Sequence, residues 1–149
     1  MIKKITIWFL CLSILSIQSI YAEEKFLSLK KNKTNVRYGP GLDYPIKYIY
    51  RKVNLPVKLI DKKDNMRRVI FLDNNSGWIH RSQLKPSNAV ISLGEKILFK
   101  KPSDFSEPIA KVQKGRLLVI KKCEDDWCNV LTDDYTGWIK IKNVWGYTK

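Results

Sequence analysis

Ser76-Gly77-Trp78-Ile79-His80 returns sixty residues later as Thr136-Gly137-Trp138-Ile139-Lys140. The echo extends upstream: Pro45-Ile46 aligns with Pro108-Ile109, and Val57-Lys58-Leu59-Ile60 with Leu117-Leu118-Val119-Ile120. Repetition at a fixed spacing means one folding unit used twice. The unit is the size of a small β-barrel. A glycine ahead of a large aromatic marks a bend or bulge where a barrel strand starts. Successive side chains of a strand point to opposite faces, so one residue of each Trp-Ile step faces in and the other out. With Ile79 and Ile139 in the core, the two tryptophans lie outside, each ring N–H still needing a partner. The competing reading makes both tryptophans partly buried packing residues.

Beyond residue 22 no stretch of ten or more residues carries a helical apolar stripe. Short apolar clusters alternate with turn signals, which is the pattern of many short strands. In the first unit the expected strands are 27–29, 35–38, 46–50, 57–60, 67–72 and 77–80. A glycine- and proline-rich loop lies at 39–45, and Asp73-Asn74-Asn75-Ser76 is turn chemistry. In the second unit they are 95–99, 109–112, 117–122, 128–131 and 137–141, with a loop at 101–108 and a distal turn at 132–136. Lys85-Pro86-Ser87-Asn88 is the boundary. The expected fold class is therefore all-β, two small barrels in tandem over 23–86 and 87–149.

Residues 1–22 read as a cleaved export signal. Lys3 and Lys4 precede an uncharged apolar run at 5–17, and Ala22 offers a small residue before the expected cut. The run is short for a membrane span, which argues against an uncleaved anchor. Leu10 stands where a lipoprotein signal places a small residue before its cysteine, so Cys11 is not expected to be lipidated. Loss of Lys3 and Lys4 takes the net charge from +14 to +12. The expected location is periplasmic or secreted, with no membrane span after cleavage.

Cys123 and Cys128 then remain as an even pair, separated by Glu124-Asp125-Asp126-Trp127. Across the base of a four-residue hairpin loop they can meet the separation a disulfide needs. Closing so small a loop is worth roughly 2 kcal/mol in the chain-entropy account. A zinc site would want a second ligand pair, and a thioredoxin-like redox pair a closer spacing in a βαβ context.

Catalytic chemistry is hard to assemble from this chain. His80 is its only histidine, and a bridged cysteine cannot serve as a thiolate nucleophile. Gly39-Pro40-Gly41 lacks the lysine and the helix start of a phosphate loop. Asp125-Asp126 and Asp133-Asp134 read as solvated turns. The expectation is a protein that is not an enzyme, with no metal or cofactor.

Positive charge concentrates in the first half, at Lys30, Lys31, Lys33, Arg37, Lys47, Arg51, Lys52 and onward to Lys85. Such charge favours acidic partners: anionic wall polymers, carboxylates of wall peptides, anionic lipid head groups. The bland alternative is an ordinary solvated surface. Nucleic acid would suit a small basic barrel with aromatics, but export argues against it. The candidate site is an aromatic shelf of Tyr38, Tyr44 and Trp78, with Arg37 and Arg81 placed to meet a carboxylate. The alternative for Tyr38 and Tyr44 is that they brace their own loop.

Val36-Arg37-Tyr38-Gly39-Pro40-Gly41, Tyr44-Pro45-Ile46, Leu55-Pro56-Val57, Arg67-Arg68-Val69 and Gly77-Trp78-Ile79-His80-Arg81 together resemble a bacterial SH3 domain. The second unit resembles it less closely, with Lys101-Pro102-Ser103 in place of the glycine-rich loop. Its Cys123-to-Cys128 segment and its ending Val144-Trp145-Gly146 are similar to the second half of exported two-repeat proteins, mostly of Gram-negative bacteria. Met66 stands where such domains usually carry tryptophan, as Trp127 does; methionine can fill the same pocket. The resemblance implies tandem SH3-like barrels of five or six strands each, without catalytic activity, that bind wall peptide, glycan or another protein. The leading expectation is an exported binding protein of the envelope that recognises peptidoglycan or a wall-associated ligand. The alternative is a periplasmic protein–protein adaptor without wall affinity.

Overall fold

The structure, a computed structural model, describes residues 25–148; the expected signal at 1–22 and its cleavage point lie outside them. Two seven-stranded antiparallel sheets follow one another along the chain. The first contains β1 (Phe26–Leu29), β2 (Thr34–Arg37), β3 (Ile46–Tyr50), β4 (Pro56–Lys63), β5 (Met66–Ile70), β6 (Ser76–His80) and β7 (Leu84–Pro86). The second contains β8 (Ala89–Ser92), β9 (Lys96–Phe99), β10 (Pro108–Val112), β11 (Leu117–Glu124), β12 (Trp127–Thr132), β13 (Tyr135–Lys140) and β14 (Val144–Trp145). The strand orders are β3-β2-β6-β5-β4-β1-β7 and β10-β9-β13-β12-β11-β8-β14. The plan repeats element for element, and the fold is two tandem SH3-like barrels. A single 3-10 turn, Arg81–Gln83, links β6 to β7.

Each barrel encloses its own core. Leu29, Val36, Val57, Val69, Phe71, Ile79 and Leu84 fill the first. Val90, Leu98, Val112, Leu118, Cys128, Val130, Ile139 and Ile141 fill the second. Fully burying a side chain of this kind is worth about 1.5–3 kcal/mol.

Three readings of the sequence change here. The second barrel opens at β8, not at residue 95. All four residues of Ala89-Val90-Ile91-Ser92 are buried, because one face joins the core and the other meets the first barrel. A strand covered on both sides shows no alternation, and this one gave none. Second, the β11–β12 hairpin turns on two residues, Asp125 and Asp126, rather than on a four-residue loop. Asp125 takes φ +52° and its counterpart Asp64 takes φ +47°, a left-handed conformation that Asp and Asn tolerate. The Cys123–Cys128 disulfide forms one pair behind that turn, between directly opposed strand residues. Third, the alignment of Pro45-Ile46 with Pro108-Ile109 slips by one. Arg37 pairs with Ile46 and Val36 with Tyr48, so Lys47 is the bulged residue. Phe99 pairs with Pro108 and Leu98 with Ala110, so Ile109 is the bulged residue. Hydrogen-bond register, not the shared proline, fixes the correspondence of Lys47 with Ile109.

The barrels touch through the ending that the sequence singled out. Trp145 packs edge-on against Phe26, with ring centroids 5.1 Å apart. Gly146 has φ +107°, and a Cβ there would fall 2.6 Å from Pro56 Cβ and 2.9 Å from the Ala89 carbonyl. Ser87 Oγ lies 3.3 Å from Ser28 Oγ and donates to the Gly146 carbonyl at 3.2 Å.

Candidate functional site

Gly77 explains why glycine precedes the tryptophan. A Cβ on it would sit 2.4 Å from Val36 Cγ1 and 3.0 Å from the Arg37 carbonyl, so β2 and β6 could not approach as they do. Gly137 is pinched in the same way, 2.7 Å from Leu98 Cγ and 2.8 Å from the Phe99 carbonyl. With Gly77 and Ile79 turned inward and buried, Trp78 stands half-buried on the outer face. There its cross-strand neighbours are Arg37 on β2 and Arg68 on β5. Cross-strand partners share a face of the sheet, so an arginine–tryptophan–arginine row runs over three strands.

The β3 bulge adds a third cation. Lys47 Nζ donates to the Ser76 carbonyl at 3.1 Å and lies 5.6 Å from the Tyr38 ring centroid and 5.1 Å from that of Tyr48. Re-aiming a side chain is what a bulge does. Arg37 Nη1 donates to the Tyr44 carbonyl at 2.6 Å, which anchors the guanidinium to the 39–45 loop. The result is an open cleft of about 310 Å³ lined by Arg37, Tyr38, Lys47, Arg68, Trp78 and the backbone of 76–77. No carboxylate lines it. Three cations beside two aromatic faces offer charge and surface that suit an anion attached to an apolar or flat group.

Of the residues singled out from sequence, Arg37, Tyr38 and Trp78 line this cleft together. Tyr44 does not; its ring lies across Gly39, where an added Cβ would meet it at 2.2 Å, so it braces the loop. Arg81 sits in the 3-10 turn, where its N–H donates to the Asn65 carbonyl, and it does not line the cleft. Lys47 and Arg68 are the lining residues that sequence reading missed. Arg68 faces Trp78 only through the β5–β6 register, and Lys47 enters only through the bulge.

The same row in the second barrel is neutral. Trp138 pairs with Phe99 and Asn129, and the bulged residue is Ile109. Trp138 is 8% exposed, with Lys122 Nζ 5.0 Å from its ring centroid. Trp127, at the position of buried Met66, packs edge-on against Phe99 at 5.7 Å and has Lys140 Nζ 5.4 Å from its ring centroid.

Charge divides the same way. Residues 25–86 hold fifteen Lys and Arg against four Asp and Glu, and residues 87–149 hold eleven against eight. Ion pairs among the described residues fall in the second barrel: Lys100–Glu107, Lys111–Glu95, Arg116–Asp133, Lys122–Glu124 and Lys140–Asp104. In the same barrel burial pushes the Lys96 ammonium below the usual lysine range, while it donates to the Lys140 and Lys142 carbonyls.

A second, apolar cleft of about 260 Å³ opens between the barrels. Tyr50, Leu55, Pro56, Phe71, Leu72 and Ile91 line it, with Asp73 as its charged member. Tyr50 and Phe71 stack at 3.9 Å. Burial, and then the Asp73 carboxylate, push the Tyr50 phenol above its ordinary value.

His80 is occupied as a cap: its Nδ1 accepts from the Ser82 N–H at 3.3 Å and lies 2.8 Å from Ser82 Oγ. Among the described residues no group of three His, Cys, Asp or Glu could hold a metal ion. Nor is any helix among them long and apolar enough to cross a membrane.

No curated protein matches the chain. Among solved structures it is similar to NlpC2 from Trichomonas vaginalis, at 17% identity and a TM-score of 0.39, over 86% of this chain and 49% of that one. It is also similar to NlpC1 from the same organism, at 19% identity and a TM-score of 0.39, over 92% of this chain and 51% of that one. The chain thus spans about half the length of each. The bacterial SH3 domain profile matches twice, over residues 30–86 and 94–146, one match on each barrel, and the chain belongs to the bacterial SH3 domain family.

Proposed function

We propose that this protein is an exported, non-catalytic binding protein of the bacterial envelope that recognises peptidoglycan through its first barrel. The observation that carries the reading is the open cleft of Arg37, Tyr38, Lys47, Arg68 and Trp78, rich in cations and without a carboxylate. Wall peptides end in carboxylates and are joined to sugars, so they offer acidic groups beside flat, carbon-rich faces. Arginine forks bind carboxylates bidentately, and the tryptophan ring supplies the apolar surface. A non-catalytic role is supported by His80 acting as a cap and by the Cys123–Cys128 bridge, which leaves neither sulfur as a thiolate.

The test is retention of residues 23–149 on purified peptidoglycan sacculi. Retention at low and moderate salt, lost in the Arg37→Ala/Trp78→Ala double variant, is the expected outcome. A wild-type chain that washes straight through at low salt removes the reading.

The apolar cleft between the barrels favours a second reading, a periplasmic protein–protein adaptor without wall affinity. Its walls suit an apolar side chain of a partner better than a glycan. Cross-linking in cells, followed by mass spectrometry, separates the two. Adducts at Tyr50 or Asp73 to one protein, without retention on sacculi, would favour the adaptor.

A further inference from the structure

The cleft has a geometric property that a single carboxylate would not use. Arg37, Trp78 and Arg68 are direct cross-strand partners on β2, β6 and β5. Each antiparallel step separates Cα atoms by about 4.5–5.5 Å, so the two arginines are rooted about 10 Å apart with the indole between them. Arg37 has one nitrogen committed to the Tyr44 carbonyl, which leaves the rest of its fork free. The Arg68 guanidinium has no hydrogen bond or ion pair among the described residues, and the residue is exposed. Asp61, its neighbour on β4, accepts from the Lys62 N–H instead. Lys47 is held by the Ser76 carbonyl and two tyrosine rings, so it sets the field more than it grips.

The second barrel supplies an internal control. Its row is Phe99, Trp138 and Asn129, with Lys122 over the indole. The backbone arrangement is the same, yet neither flanking guanidinium is present.

We infer that the first barrel reads a ligand carrying two carboxylates at once, one on each side of the Trp78 ring, and that the second barrel reads neither. One guanidinium fork matches one singly charged carboxylate, and the spacing across the ring selects how far apart the two must be. This inference rests on the cleft being the binding site.

A peptide in the polyproline II conformation advances about 3.1 Å per residue with three residues per turn, so carboxylates three residues apart lie on one side, about 9 Å from each other. The probes are the end-blocked peptides Glu-Gly-Gly-Glu, Glu-Gly-Gly-Gln and Gln-Gly-Gly-Gln, titrated calorimetrically into residues 23–149 at one ionic strength. The diacid should bind about five- to tenfold tighter than the monoacid, and the neutral peptide should bind least. In Arg68→Gln the diacid and monoacid should bind equally; Arg37→Gln gives the same test from the other side of the ring should the first variant fail to fold. The double variant Phe99→Ala/Asn129→Ala should leave all three affinities unchanged. Diacid and monoacid affinities within twofold of each other in the wild type overturn the inference. Retention on sacculi without a diacid preference would defeat this inference and leave the wall reading standing. A diacid preference without retention would do the reverse.

Discussion

Where the first barrel sets Lys62 opposite Arg67, the second sets Cys123 opposite Cys128. Where the first flanks its tryptophan with Arg37 and Arg68, the second uses Phe99 and Asn129. Where the first bulges out Lys47, the second bulges out Ile109. Like charges directly opposite each other on neighbouring strands oppose pairing, whereas a disulfide restricts the unfolded chain. One copy of the fold thus sets like charges against each other, and the other carries a covalent staple and the ion pairs found among the described residues. The first barrel presents an open cationic cleft, and the second carries the disulfide.

The largest expected effect concerns what the barrels share. Ile79 and Ile139 are both fully buried, so Ile79→Ala and Ile139→Ala should each lower stability by about 2–4 kcal/mol. Hydrogen exchange followed by NMR should show the loss mainly in the mutated barrel. A uniform loss across both would mean that the Trp145–Phe26 contact makes them one cooperative unit.

Next comes the staple. Replacing Cys123 and Cys128 with Ser and Ala should cost about 2 kcal/mol in the second barrel, measured by urea unfolding, and leave the first barrel's exchange protection unchanged. Loss of protection in the first barrel would break the idea of separate duties.

The charge contrast can be swapped directly. Arg37→Phe, Lys47→Ile and Arg68→Asn, made together, give the first cleft the second barrel's residues. Retention on sacculi should fall at least tenfold, about 1.4 kcal/mol, with the unfolding midpoint unchanged or raised. An unchanged retention would show that the cleft is not where the wall binds.

The smallest effect is expected at Arg81, which sequence reading placed in the site and the structure sets apart from the cleft. Arg81→Ala should change retention less than twofold and stability by less than about 0.5 kcal/mol. A loss as large as that of the charge swap would restore Arg81 to the recognition surface.

Much of the fold was legible from residues because its signals are local. Turn chemistry at 73–76, short apolar clusters between turn signals and the Gly-Trp-Ile step are each read within a few neighbouring positions. β8 was not legible, since Ala89-Val90-Ile91-Ser92 is covered on both faces by parts of the molecule that sequence does not bring together. The site was legible by halves. Arg37, Tyr38 and Trp78 sit in or beside recognisable motifs. Arg68 and Lys47 reach the cleft through strand register and a bulge, and Tyr44 was drawn away from it by packing on Gly39.

The chain by itself determined that one β unit is used twice, where most of its strands fall, and that the positive charge gathers in the first copy. These follow from side-chain periodicity and backbone preference, which act over short distances. The tertiary structure alone decided which cations share a face with Trp78, that the matching face of the second copy is closed, and that Trp145 and Gly146 join the barrels. Cross-strand register sets those neighbours, and register is a property of hydrogen bonds between segments far apart in sequence.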